Sequence, residues 1–136
     1  MTIKIADENS GARALLDWIA DALMEKQGRE IMAFDARNLA GVTDYYLLVS
    51  ALSAPHVKAL FNAVRLALKA RGVACYRKSG TPESGWIVAD YLDVALHIFT
   101  RETRGYYALE ELWAEVPRVE LKSAALPAAS TPAPTG

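Results

Sequence analysis

The segment from Trp86 to Phe99, W-I-V-A-D-Y-L-D-V-A-L-H-I-F, constrains the fold most, because apolar and polar residues alternate on both sides of a short break. Side chains of a strand alternate between faces, and directly opposed residues of a hairpin share a face. A two-residue turn at Tyr91-Leu92 places Asp90 opposite Asp93, Val88 opposite Ala95 and Trp86 opposite His97. One face then reads Ile87, Ala89, Val94, Leu96 and Ile98, which is wholly apolar and predicts packing on helices. The other reads Trp86, Val88, Asp90, Asp93, Ala95, His97 and Phe99, a mixed surface. Trp86 on that surface is either an interface anchor, since aromatics dominate binding hot spots, or core beneath a second helical layer.

The rest of the chain supplies the helices. Asn9 or Ser10 can cap a helix in which Ala12, Leu15, Leu16, Ile19 and Leu23 recur at three- and four-residue steps, with Gly28 as its C-terminal stop. Glu30 to Ala36 and Tyr45 to Ser50 read as strands joined by a turn-rich loop containing Asn38, Gly41 and Thr43. Ser53 caps a second helix with Pro55 in its first turn and Val57, Leu60, Phe61, Val64 and Leu68 on one side, ending at Gly72. Val73 to Arg77 reads as a third strand and Lys78 to Gly85 as a surface loop. After the hairpin, a helix over Thr103 to Ala114 turns Tyr106, Leu109, Leu112 and Trp113 inward. The expected fold is a single α/β domain over residues 1–118, ordered α-β-β-α-β-β-β-α, with a mixed five-stranded sheet. The Ala/Pro-rich residues 119–136 are expected to be a disordered tail.

Charge narrows the function classes. Among 136 residues, 15 basic and 16 acidic side chains give a formal net charge of −1, without the basic excess typical of nucleic-acid binding. Direct RNA or DNA binding is therefore not expected. The N-terminus lacks a signal-peptide pattern and no apolar run approaches a membrane span, which points to the cytoplasm. Cys75 is the single cysteine, flanked by Val73, Ala74 and Tyr76, and reads as a buried thiol in a strand.

Catalytic chemistry finds little support. Asp44, Asp90, Asp93 and His97 could form an oxygen-rich magnesium or manganese site, but Asp-x-x-Asp straddles a turn and its carboxylates need not converge. With two histidines and one cysteine there is no zinc pattern. Ser50, Ser53 and Ser79 lack a nucleophile elbow, and K-S-G-T-P-E-S-G lacks the end of a phosphate loop. His56 reads as exposed in a helix's first turn, Asp35 and Arg37 as a local ion pair or docking rim, and Arg104 with Glu110 and Glu111 as a solvated helix face. No cofactor, metal or catalytic residue is expected.

Several motifs, taken in order, resemble the ribosomal silencing factor (Iojap-like) family. They are D-A-R at Asp35 to Arg37, T-D-Y-Y-L-L-V-S at Thr43 to Ser50, the helix-opening Ser53 and W-I-V-A-D at Trp86 to Asp90. D-V-A-L-H-I-F at Asp93 to Phe99 and R-G-Y-Y-A-L-E-E-L-W at Arg104 to Trp113 complete the set. The resemblance implies a nucleotidyltransferase-like topology without the catalytic motif. It also implies a translational repressor that binds ribosomal protein L-fourteen of the large subunit, blocks subunit association and lowers translation in nutrient limitation. A homodimer is compatible with it. By position, Trp86, Asp90, Asp93, His97 and Asp44 fall at or near the expected docking surface. The alternative function is a metal-dependent nucleotidyltransferase-like enzyme. The chain departs from the family pattern at Leu92, where glycine is usual and any positive φ is strained, at Ala51 and at Pro55-His56.

Overall fold

Two amphipathic helices and one apolar sheet face close the main core of the computed structural model, which describes residues 11–38, 43–107, 111 and 116–121. The elements are α1 (Gly11–Glu25), β1 (Arg29–Asp35), β2 (Tyr45–Ala51), α2 (Ala54–Lys69), β3 (Arg77–Thr81), β4 (Trp86–Asp90), β5 (Val94–Thr100), α3 (Arg101–Tyr107) and β6 (Arg118–Val119). The six-stranded sheet has the order β3-β4-β5-β2-β1-β6. Among the described residues, only β2 and β5 pair in parallel; the other neighbours are antiparallel.

Leu16, Ile19 and Leu23 of α1 and Val57, Leu60, Val64 and Leu68 of α2 are fully buried against Leu47, Val49, Ile87, Leu96 and Ile98. Each such side chain contributes roughly 1.5–3 kcal/mol of hydrophobic stabilisation. α2 begins where expected: the Ser53 hydroxyl accepts from the His56 N–H, and Pro55 sits in the first turn. It ends at Gly72, whose left-handed φ of 79° lets Val73 N–H reach Leu68 O.

Several expectations change. The glycine after α1 is not its left-handed residue; Gln27 takes that conformation, and Gly28 N–H bonds Leu23 O. Gly28 is required for space, because a Cβ there would lie 2.6 Å from Val49 Cγ2. The third strand starts at Arg77, not Val73, since Val73 still closes α2 and Cys75 lies half-buried outside any strand. All five residues of β3 are exposed on the sheet edge, so no apolar alternation betrays them.

A sixth strand, Arg118–Val119, pairs with β1, and Leu121 beyond it is buried, so ordered packing passes the expected boundary at residue 118. Arg13 reinforces this by donating to Glu120 O at 2.8 Å. The last helix starts at Arg101, two residues early, because the Thr100 hydroxyl accepts from Thr103 N–H as its cap. Asn9, Ser10, Gly41, the side chains of Tyr106 and Tyr107, Leu109, Leu112, Trp113 and the tail after residue 121 lie outside the described residues.

His56, expected to be exposed, is half-buried. Its Nδ1 accepts from Leu52 N–H at 2.9 Å and its Nε2 lies 2.8 Å from Lys26 O, joining the end of α1 to the start of α2.

Candidate functional site

The hairpin keeps its predicted faces but not its register. Trp86 pairs with Phe99, Val88 with His97 and Asp90 with Ala95. The shift is two residues, so side-chain parity survives, yet Asp93 no longer opposes Asp90. It occurs because Tyr91, expected in the turn, is buried in the main core, and the reversal moves to Leu92-Asp93. Tyr91 O accepts from Asp93 N–H at 2.8 Å, and Leu92 between them has φ 73°. That is the rarer, strained form of γ-turn. The Asp90 carboxylate accepts from Leu92 N–H at 2.8 Å, an Asx-turn that holds the conformation. Leu92 itself is 60% exposed. Leu92→Gly is therefore expected to raise unfolding free energy by about 0.5–1 kcal/mol. A urea midpoint below that of the unaltered protein would contradict this.

On the mixed face, Trp86, His97, Phe99 and Tyr46 form one aromatic cluster. Trp86 lies 6.1 Å from His97 and 5.8 Å from Phe99 between ring centroids, and Tyr46 lies 6.0 Å from His97. Parallel registry with β5 brings Tyr46 to this face. Trp86 Nε1–H donates to His97 Nδ1 at 3.3 Å, so that nitrogen carries no proton. Burial pushes the His97 pKa down to about 4 and keeps the ring neutral near pH 7. Phe99 is fully buried, whereas Trp86, Tyr46 and His97 remain partly open to solvent. Phe99 is packed by Phe34, Leu48, Met32, Trp86 and Val116 and overlain by Arg104 of α3, and α3 comes close because Gly85, with φ 80°, has no Cβ to strike Thr103.

Arg104 of α3, expected on a solvated face, is instead 4% exposed. Its guanidinium donates to Glu30 O and Ser50 Oγ, each at 2.8 Å, and lies 5.6 Å from the Phe99 ring. Nothing in the single chain's charge pattern reveals this, since the acceptors lie 74 and 54 residues away.

The carboxylates gather at one end of the sheet. Asp90 ends β4, Asp93 precedes β5, Asp44 precedes β2 and Asp35 ends β1. Asp44 N–H and Tyr45 N–H both donate to Asp93 O, and Thr43 Oγ1 donates to Leu92 O, so the loops are laced together through backbone. Asp35 forms the expected ion pair, a two-pronged contact with Arg37 at 2.9 and 2.7 Å, and that bonding lowers its pKa. Among the described residues, no three His, Cys, Asp or Glu side chains are grouped to hold a metal ion. Of the five residues singled out, Trp86 and His97 touch, Asp44 and Asp93 meet through backbone, and Asp90 caps the turn beside them. Tyr46 and the protruding Leu92 extend the surface beyond those five. Among the described residues, no helix is long and apolar enough to cross a membrane.

Comparison with known proteins places this surface in context. The family described as "Ribosomal silencing factor during starvation" matches residues 9–135. A ribosomal silencing factor of Halalkalibacterium halodurans is 28% identical over 79% of this chain and 92% of its own length. One of Haemophilus influenzae is 30% identical over 74% of this chain and 99% of its own. A crystal structure of a Chromobacterium violaceum protein superposes with a TM-score of 0.73 at 28% identity, covering 76% of this chain and 87% of that one.

Proposed function

The chain belongs to the ribosomal silencing factor family, and on that premise we propose that it represses translation in the cytoplasm by docking on the large ribosomal subunit. Docking runs through ribosomal protein L-fourteen, blocks association with the small subunit by occupancy rather than catalysis, and lowers translation when nutrients are limiting. The same reading takes the sheet as nucleotidyltransferase-like in topology without the catalytic motif. The supporting observation is a partly exposed aromatic cluster on the same sheet as an aspartate-lined end. Trp86 and His97 supply an apolar anchor, while Asp44, Asp90 and Asp93 face a basic partner surface and set approach and orientation. Leu92, held by the Asp90 carboxylate through its N–H, is exposed in the turn between Asp90 and Asp93.

Trp86→Ala is expected to weaken binding to purified L-fourteen by roughly 2 kcal/mol, about thirtyfold in Kd, with the far-ultraviolet circular dichroism retained. Leu92→Gly should weaken the same binding although it stabilises the fold. The decisive measurement adds the protein to separated subunits and follows joining by sedimentation. Unchanged joining with no large-subunit binding would overturn the proposal.

A further inference from the structure

The near-neutral total charge conceals a segregation. From Tyr45 to Pro82 the chain has no Asp or Glu, yet Lys58, Arg65, Lys69, Arg71, Arg77 and Lys78 all fall there. Folding sorts them further. Lys58, Asn62, Arg65 and Lys69 recur at steps of three and four along α2, one stripe of a helix, and its three cations are exposed. The edge strand β3 turns the exposed Lys78, level with Ala89, to the α2 side, while Arg77, level with Asp90, falls on the opposite face. Arg71 turns away, its guanidinium 4.2 Å from the Trp18 ring centroid.

The stripe and the strand bound one seam. At one end a cleft of about 240 Å³ is lined by Lys58, Phe61, Asn62 and Lys78, with Glu83 as its single acidic wall. At the other a wider, open cleft of about 480 Å³ is lined by Arg65, Lys69 and the loop through Cys75. The salt bridges among the described residues are Arg13–Asp17, Arg37–Asp35 and Arg101–Glu30, and none uses a cation of this seam. Two aromatics accompany the charges: Lys78 Nζ lies 5.4 Å above the Phe61 ring, and Tyr76 is 59% exposed beside Arg77.

We propose that the α2–β3 seam binds RNA through its phosphates, independently of base sequence. Lys58 to Lys69 spans on the order of 16 Å of helix, enough to meet several successive phosphates. Tyr76 offers a face on which an unpaired base can stack. Leu66, exposed beside Arg65, and the loop through Val73 and Cys75 add apolar surface at one end, but the charges along the seam are all positive except Glu83, which favours a polyanion. The seam lies on the α2 side of the sheet, away from the Trp86 face, so the two surfaces can be engaged together. This deepens the docking reading, because a large-subunit surface offers ribosomal RNA beside protein, but the contact rests on charge geometry alone. It also runs against the expectation drawn from net charge.

The test is fluorescence anisotropy of the full chain with a labelled twenty-nucleotide oligouridylate and a twenty-base-pair RNA duplex, titrated across salt. Neutralising four or five phosphates predicts a log–log salt slope of roughly −3 to −4.5. The triple variant Lys58→Glu, Arg65→Glu, Lys69→Glu should lose at least about tenfold in affinity and flatten that slope, with a melting temperature lowered by only a few degrees through the charge reversed in the last turn of α2. Trp86→Ala should leave RNA binding intact while weakening L-fourteen binding, which separates failure of this proposal from failure of the docking one. Absence of RNA binding at low salt, or binding untouched by the triple variant, overturns it. So does a triple variant that loses only binding to L-fourteen, to phosphatidylserine vesicles or to a second copy of the chain.

Discussion

Arg104→Met is expected to destabilise the fold by about 3 kcal/mol, lowering the melting temperature by roughly 10 °C or more. Methionine keeps the apolar stem but removes the hydrogen bonds to Glu30 O and Ser50 Oγ and the contact with Met32 Sδ at 3.0 Å. Ser50 is fully buried, so its hydroxyl loses a charged donor with no water to replace it. Glu30 is affected as well. It adopts φ 51°, within a register shift of β1 between Arg29 and Met32. Arg104 holds its carbonyl, and Arg101 pairs with its carboxylate at 3.5 Å. The guanidinium thus fastens α3 to an irregular stretch of β1 and to β2 at once. Arg104→Lys should recover only part of the loss, because an ammonium lacks the planar fork. Urea unfolding within about 0.5 kcal/mol of the unaltered protein would refute the role.

Acid should destabilise the protein through His97, by about 2–3 kcal/mol between pH 6.5 and 4. The folded ring titrates at about 4 and the unfolded one near its ordinary 6.5. In that window the unfolded chain takes up a proton that the fold refuses, so stability falls as pH falls. The contribution is complete above 6.5 and nothing further is lost below 4. Other groups shift too: Asp21 is raised mainly by burial and Asp35 lowered mainly by its bonds to Arg37. The reading is therefore the difference between the unaltered protein and His97→Gln, each unfolded in urea at pH 7 and 4.5. Equal pH dependence in both would dispose of it.

The hairpin shows how far the sequence could be read. Parity depends only on period two, so the apolar face and the Trp86 face were legible before any register was known. The register was not, because Tyr91 is amphipathic and only the packing of α2 and the β3 linker buries it. β3 escaped for the opposite reason: an edge strand exposed on every residue carries no pattern to detect. Arg104 escaped because its partners come from β1 and β2, far away in sequence. Leu92 stood out only through the family resemblance, in which glycine is usual before Asp93, and the fold gives it a φ of 73°. Within the candidate site, Trp86 and His97 were found through strand parity. Tyr46 required the parallel pairing that only the assembled sheet supplies.

The single parallel join between β2 and β5 also sets a timetable. β3, β4 and β5 follow one another closely and can pair as soon as they exist, but Tyr45 must wait for Val94. Closing that separation is the slow, entropically costly contact of this topology. During synthesis, β1 and β2 therefore emerge as an unfinished hairpin whose outer edge is filled only after β5 has left the exit tunnel. A nascent chain arrested before Thr100 would carry that edge open, and the Tyr46–His97 contact of the aromatic cluster would not yet exist.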